Sequence, residues 1–177
     1  MDLYVERGFE GTTVADIAER AGVTPRTFFR HFADKREVLF AGSTALIDAL
    51  VASVDTAPAG DSPLTVVATA LESACEVIGG NRAYSARRQS VIAANPDLQE
   101  RELIKMATLA ATLATGLRDR GVTAADAGIA AEAGVAVFRI SFERWVADDD
   151  DAATAEADLV AVLRDSFARL ANITALG

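Results

Sequence analysis

The segment 12–35 constrains the fold more than any other part of the chain, because it encodes two short helices separated by a tight turn. Thr13 is placed to cap the first helix with its hydroxyl, and Asp16, three residues later, has the acidic position of a capping box. Gly22 ends this helix, since glycine adopts the left-handed conformation at little cost. Thr24 then caps a second helix. The pattern predicts two helices that meet at a sharp corner.

The second helix has one apolar side and one polar, cationic side. Pro25 occupies its first position, where a missing N–H is harmless. Phe28 and Phe32 fall on the apolar side. The opposite side carries mostly Arg26, Thr27, Arg30 and His31. A helix, a glycine turn and a second helix with a cationic outer face form the helix-turn-helix design. Such corners also occur in proteins that bind no DNA, and the cationic face favours DNA binding here.

The charge distribution explains how an acidic chain could bind a polyanion. The net charge is −9, which by itself is unfavourable for nucleic-acid binding. Between Arg20 and Arg36, however, five cations accompany one carboxylate, and residues 43–177 carry most of the negative charge. Attraction to phosphate acts over about 8–10 Å at ordinary salt, so a local basic face matters more than the total. We expect specific binding that depends strongly on salt.

The segment resembles the signature of the TetR family of bacterial transcriptional regulators. The residues that carry the resemblance are Gly8, Phe9, Thr12, Thr13, Ile17, Ala18, Ala21, Gly22, Val23, Thr27, His31, Phe32, Lys35 and Val38–Leu39. They cover about the first quarter of the chain, and the remainder is similar to the family only in being helical and rich in Ala and Leu. The resemblance implies an all-α fold. An N-terminal helix-turn-helix three-helix DNA-binding unit (1–42, its first helix truncated) would be joined to a larger helical ligand-binding and dimerisation domain (43–177).

The resemblance also implies a set of DNA-binding residues. Positions that face bases hold Pro25, Arg26 and Phe29. Positions that usually meet phosphates hold Thr13, Thr27, His31 and Lys35, and Thr24 and Arg30 complete the predicted set. Arginine bidentate to guanine is the commonest specific contact in the major groove. Phe29 stands where the family commonly has tyrosine, and Arg26 where it often has a small residue, so we expect a change in the bases that are recognised.

The remaining sequence predicts a series of helices. One long helix is expected from Asp34 or Lys35 to about Val54. The others run from Pro63 to Gly79, from Arg82 to Ala94, from Pro96 to Asp119, from Thr123 to Val146 and from about Ala153 to Asn172. The last two are so apolar that they predict a homodimer whose partner covers them; the less favoured alternative is that they complete a monomer core. The acidic run 148–151 is expected to be a solvated loop.

Enzymatic chemistry finds little support in the sequence. His31 is the single histidine, and no Ser or Cys nucleophile motif, paired carboxylates or second metal ligand accompanies it. We therefore expect no enzyme, no cofactor and no metal. The single cysteine, Cys75, cannot form an internal disulfide, which suits a cytoplasmic protein. No signal peptide is apparent, and no apolar run reaches the ~18 residues that span a membrane.

A ligand pocket in the larger domain is also implied by the resemblance. Bulky or polarizable side chains suit a pocket, and the candidates are Cys75, Tyr84, Met106, Leu109, Phe138, Phe142 and Trp145, each of which could instead be ordinary core. Arg87 and Arg88 could meet an anionic ligand group or simply be solvated. The predicted function is a repressor released from a near-palindromic operator by a small, largely apolar effector. The alternatives are a helical ligand- or protein-binding module without DNA-binding activity and, less favoured, a small helical enzyme.

Overall fold

The computed structural model describes residues 1–147 and 158–175, and these residues are all-α. They form ten helices and no strand: α1 Asp2–Arg7, α2 Val14–Arg20, α3 Pro25–His31, α4 Glu37–Phe40, α5 Ser43–Thr56, α6 Pro63–Ile78, α7 Arg82–Ala93, α8 Pro96–Asp119, α9 Ala124–Val146 and α10 Leu159–Thr174. The predicted fold class is confirmed. α1 to α3 form the N-terminal unit, and α5 to α10 form the larger helical part.

The local signals that predict α2 and α3 are confirmed by their caps. The Thr13 hydroxyl accepts from the Asp16 amide, and the Asp16 carboxylate accepts from the Thr13 amide at 2.8 Å, which completes the capping box. Gly22 has φ +67°, so a side chain at this position would be strained. Thr24 accepts from the Thr27 amide at 3.2 Å at the start of α3. Four residues close in sequence therefore set the corner between the two helices.

The main core lies between α5, α6, α8, α9 and α10. Its fully buried leucines are Leu46, Leu50, Leu71, Leu109, Leu113, Leu117, Leu159 and Leu163. α9 packs against α6, α7, α8 and α10, as its broad apolar surface predicts. Two of its large residues are not covered: Ile129 and Ile140 are 70% and 48% exposed. Leu103 on α8 is also exposed.

The predicted long helix after the corner is in fact two helices. The Asp34 carboxylate accepts from the amide and the guanidinium of Arg36, and this local turn replaces the expected helix start. α4 begins only at Glu37 and lasts four residues. Helical hydrogen bonding is then interrupted at Ala41 and Gly42, since glycine is a weak helix former. This corrects the prediction of one continuous helix to Val54.

The last helix also begins later than predicted. Asp158 has an extended backbone with ψ 163°, and its carboxylate accepts from the Ala161 amide at 2.7 Å. It is therefore the N-cap of α10, and the helix starts at Leu159. The acidic run 148–151 lies outside the described residues.

A second, smaller core joins the N-terminal unit to the larger part. Tyr4 of α1 and Phe9 pack with Leu39 and Phe40 of the α4 segment. The larger part contributes Val91, Ile92 and Leu98 from α7 and α8. The Tyr4 hydroxyl donates to the Lys35 carbonyl at 2.5 Å, and burial raises the pKa of Tyr4 to about 12. The division into residues 1–42 and 43–177 stays a prediction, and apolar contacts cross it.

One stretch of the described residues, Glu37–Thr56, is long and apolar enough by composition to cross a membrane. The structure divides it into α4 and α5. Leu46, Leu50 and Val54 on α5 are fully buried in the main core against α6 and α8. Part of its apolar character is thus accounted for by packing within the protein.

Candidate nucleic-acid interface and ligand cleft

α3 and its N-cap expose six of the nine predicted DNA-binding side chains. Phe28 is buried and anchors the helix, with its ring 5.2 Å from that of Phe32. Thr27 is half-buried, and the exposed members of the set are Thr24, Pro25, Arg26, Phe29, Arg30 and His31. Phe29 is 56% exposed, which is unusual for so large an apolar side chain. The exposed surface of α3 therefore combines cations with an aromatic ring, two kinds of group that can contact base edges.

The cations of the N-terminal unit differ in how many partners they have. Arg20 lies 3.4 Å from Glu6, Arg7 lies 3.1 Å from Asp16, and Arg36 is paired with Asp34. Arg26, by contrast, makes no hydrogen bond or ion pair with any described residue. The cation that the structure leaves free lies at the N-terminal end of α3, the end that reaches the major groove in this design.

The remaining predicted residues lie at the C-terminal end of α3 and at the start of α2. The Nη2 atom of Arg30 is 3.2 Å from Nε2 of His31, so these two side chains lie side by side at the end of α3. Thr13 is exposed at the start of α2, with its hydroxyl occupied by the capping box. The Asp16 pKa is lowered, chiefly by its hydrogen bonds from Thr13. Their contacts to phosphate stay predictions.

Lys35 has an internal role that the sequence does not reveal. Its ammonium donates to the carbonyls of Phe9 and Thr12 at 2.7 and 3.1 Å, and it lies 4.3 Å from the centre of the Phe9 ring. The buried Thr12 hydroxyl in turn donates to Gly8 at 2.8 Å. Lys35 therefore fastens the loop that leads into α2. Its contact with a DNA phosphate stays a prediction. The ammonium that would make this contact already donates to two carbonyl oxygens.

A cleft of about 840 Å³ opens between α4, α5, the end of α6, α7, α8 and α9. Four of the seven predicted ligand residues line it: Tyr84, Met106, Phe138 and Phe142. The other three, Cys75, Leu109 and Trp145, lie in the main core and do not line it. Their role as ligand residues stays a prediction, and a bulky side chain alone does not distinguish a pocket from packed core.

Burial also determines the chemistry of Cys75. The thiol is enclosed by the core and its pKa is raised to about 12, mainly by desolvation. An unreactive thiol is the result. Among residues 1–147 and 158–175, no cluster of three His, Cys, Asp or Glu side chains has the geometry of a metal site.

A charged cluster in the cleft was not found from the sequence. Glu102 accepts from Arg88 at 2.7 Å and from Lys105 at 3.4 Å, and all three side chains are mostly buried. Burial lowers the Lys105 pKa. Burial favours a raised pKa for Glu102, but the two cations outweigh it and the pKa is lowered. The sequence makes Arg88 a candidate to bind an anionic ligand group. The Glu102–Lys105 pair has the i, i+3 spacing of an ordinary solvated ion pair, so the sequence does not reveal its burial.

Two arginines connect α7 and α8 to α4. The Nε atom of Arg88 donates to the Leu39 carbonyl at 2.7 Å, and its guanidinium carbon is 5.0 Å from the Phe40 ring. Arg101 of α8 forms an ion pair with Glu37, and its guanidinium carbon is 5.4 Å from the same ring. α4 is therefore held by residues of α7 and α8, one of which lines the cleft.

Comparisons with known proteins agree with this architecture. Residues 1–41 match the family model described as bacterial regulatory proteins, tetR family. The HTH-type transcriptional regulator TcmR of Streptomyces glaucescens is 42% identical over 73 residues, which are 41% of this chain and 32% of TcmR. The match thus spans about a third of the length of that curated relative.

Solved structures share the fold over nearly the whole chain. Thermus thermophilus FadR, a TetR-family transcriptional repressor solved in complex with lauroyl-CoA, is 25% identical with a TM-score of 0.53, over 95% of this chain and 87% of FadR. PfmR, a TetR-family transcriptional regulator from Thermus thermophilus, is 22% identical with a TM-score of 0.51, over 93% of this chain and 90% of PfmR. Together the comparisons confirm the resemblance predicted from the helix-turn-helix and the all-α fold.

Proposed function

We propose that this chain, which the match of residues 1–41 identifies with the TetR family, is a ligand-responsive DNA-binding transcriptional regulator, most simply a cytoplasmic repressor. The observation that carries the proposal is the free, exposed guanidinium of Arg26 at the N-terminal end of a well-capped α3. Arg26 with Pro25 and Phe29 would contact bases. Thr13, Thr24, Thr27, Arg30, His31 and Lys35 would contribute to the backbone contacts and the orientation of the helix.

Recognition of a near-palindromic operator requires two copies of α3. In helix-turn-helix dimers the two recognition helices enter successive major grooves, about 34–36 Å apart or a multiple of it. A homodimer through α9 and α10 is supported by their exposed apolar residues: Ile129 and Ile140 on α9 and Ile173 on α10. Burial of such residues against a symmetry mate would remove them from water. The dimer and the palindrome are thus parts of one proposal.

The effector would bind in the cleft between α4 and α9. A volume of about 840 Å³ lies in the range of about 300–1,000 Å³ that is typical of small-molecule sites. Phe138, Phe142 and Met106 give it an apolar wall. The complex of FadR with lauroyl-CoA supports an effector with a long apolar part. A small, largely apolar molecule is therefore the proposed effector class.

Binding in the cleft would reach the DNA-binding unit through α4. Arg88 lines the cleft and holds the Leu39 carbonyl, while Phe40 lies against both Arg88 and Arg101. An effector that favours another position of Arg88 would change how α4, and with it α3, is held. It changes DNA affinity only by its difference in affinity for the two forms, typically about 1–3 kcal/mol.

The test begins with selection of bound duplexes from a randomised pool, followed by gel-shift titration at several salt concentrations. Arg26→Ala should weaken binding to the selected duplex by about 1–3 kcal/mol and relax its sequence preference. Arg118→Ala, an exposed arginine on α8, is the matched control and should leave affinity unchanged. Absence of salt-dependent duplex binding by the wild-type protein would favour a helical ligand- or protein-binding module without DNA-binding activity. Unchanged affinity of Arg26→Ala would refute the role of that residue.

A further inference from the structure

The cleft contains more cations than carboxylates, although the protein as a whole is acidic. Its charged lining consists of Arg88, Lys105 and Arg139 against Glu102 and Glu143. The whole chain has a net charge of −9, so a local excess of one positive charge runs against the general trend. A purely apolar ligand would gain nothing from this excess. The lining therefore contains one charge that a ligand could neutralise.

The ion pairs and hydrogen bonds within the cleft show which of its cations can still bind a ligand. Arg139 pairs with Glu143 at 3.2 Å on the same helix. Arg88 is committed to the Glu102 carboxylate and to the Leu39 carbonyl. Lys105 has, among the described residues, only the 3.4 Å contact with Glu102, a carboxylate that Arg88 approaches more closely. An ammonium has three N–H donors, so Lys105 has donors to spare.

The position of Lys105 makes those spare donors significant. Its side chain is only 17% exposed, so water solvates the ammonium poorly. Filling the cleft with a neutral molecule would remove more of that water without replacing its hydrogen bonds. An anionic group beside Lys105 would instead supply a hydrogen-bond acceptor and a negative charge that balances the excess positive charge of the cleft. Phe138, Phe142 and Met106 line the same cleft and suit an apolar tail.

We propose that the cleft binds an amphiphilic monoanion, with a carboxylate-like head group at Lys105 and an apolar tail against Phe138 and Phe142. The inference rests on the proposed role of the cleft as the effector site and specifies the chemical class of the effector. A single available ammonium matches a singly charged head group rather than a phosphate dianion. The established resemblance assigns no ligand residue to this chain, and Lys105 is the residue that the structure adds.

Two probes of equal chain length separate the head group from the tail. Decanoate is ionised at neutral pH, whereas 1-decanol is neutral. Trp145 is the single tryptophan and its ring lies 5.9 Å from that of Phe142, a residue of the cleft wall, so its fluorescence can report occupancy. The wild-type protein should bind decanoate about ten-fold or more tightly than 1-decanol, the size of effect expected of a charge-assisted hydrogen bond.

Variants of Lys105 then locate the head group. Lys105→Met should abolish the preference for decanoate and leave the affinity for 1-decanol unchanged or higher. Lys105→Arg retains the charge and should retain the preference, and circular dichroism of both variants checks that the helices are intact. A wild-type protein without preference, whether it binds both probes or neither, overturns the proposal. So does a Lys105→Met variant that keeps the preference.

Duplex binding distinguishes this outcome from failure of the proposed function. Lys105 lies on α8, outside the DNA-binding unit, so duplex binding by the wild-type protein in the absence of probe measures the proposed function separately from the head-group site. A wild-type protein that shows no decanoate preference but binds duplex would reject the head-group site alone. A protein that prefers decanoate but binds no duplex would reject the regulator function alone.

Discussion

The guanidinium of Arg88 donates a 2.7 Å hydrogen bond to the main-chain carbonyl of Leu39, and so fastens α7 to α4. The same side chain lines the cleft and pairs with Glu102, another residue of its lining. Leu39 belongs to the small core that also contains Tyr4 and Phe9 of the N-terminal unit. A side chain that a ligand can touch is thus one hydrogen bond away from the segment that supports the helix-turn-helix.

Replacement of Arg88 should loosen α4. In Arg88→Gln the Leu39 carbonyl loses its guanidinium donor and Glu102 loses the closer of its two cations, and we expect faster amide hydrogen exchange across Glu37–Phe40 together with a loss of about 1–3 kcal/mol of unfolding free energy. Hydrogen-exchange mass spectrometry and urea unfolding measure both. Arg87→Gln is the matched control, since Arg87 is exposed and its ion pair with Asp2 is a long one, at 3.9 Å. If the amides of α4 exchanged at the same rate in the two variants, the proposal that Arg88 holds α4 would be refuted.

Lys35 should contribute to stability as well as to DNA binding. Lys35→Met removes the donor to the Phe9 and Thr12 carbonyls, and the unfolding free energy should fall by about 1–3 kcal/mol in urea titrations. Arg30→Met, which removes an exposed cation from α3, should change it by less than about 0.5 kcal/mol. The predicted phosphate contact requires in addition that Lys35→Met lower the salt slope of duplex binding by about one. A variant as stable as the wild type would show that the two hydrogen bonds are not needed.

The sequence predicts best those structural features that depend on residues close together in the chain. Thr13 and Thr24 cap their helices because the amides they accept from lie three residues away, within the pattern itself. Cys75 shows the limit, since its apolar helix predicts burial but not whether the buried side faces a cleft or a core. The Glu102–Lys105 pair was missed for a related reason. An i, i+3 charge pair usually lies in solvent, and only the packing of α7 and α9 over α8 encloses this one.

The thiol of Cys75 should be unreactive in the folded protein. Its pKa of about 12 leaves almost no thiolate at pH 8, and the surrounding core excludes reagent. Iodoacetamide should therefore modify it slowly in native buffer and rapidly in guanidinium chloride, as mass spectrometry would show. Because an unfolded thiol ionises at lower pH than the buried one, the contribution of Cys75 to stability should decline as the pH rises toward 12.

An added exposed thiol provides the control. Thr69 is exposed on the same helix, so Thr69→Cys should take up one label at once in native buffer while Cys75 stays unmodified. Rapid labelling of both thiols would show that the α6 core opens readily, contrary to the packing described.

Two glycines on α9 should respond to the same substitution in opposite ways. A methyl group at Gly134 would overlap Cγ1 of Val67 and lie 3.2 Å from Cδ1 of Leu71, because α6 and α9 approach closely there. Gly134→Ala should therefore cost about 1–3 kcal/mol of unfolding free energy through overpacking. At Gly128 a methyl group meets nothing within 4 Å, and alanine is the better helix former, so Gly128→Ala should stabilise by about 0.5–1 kcal/mol. Urea unfolding at one protein concentration measures both. If Gly134→Ala proved neutral, α6 and α9 would have to separate at little cost, and the close contact would not determine how the main core packs.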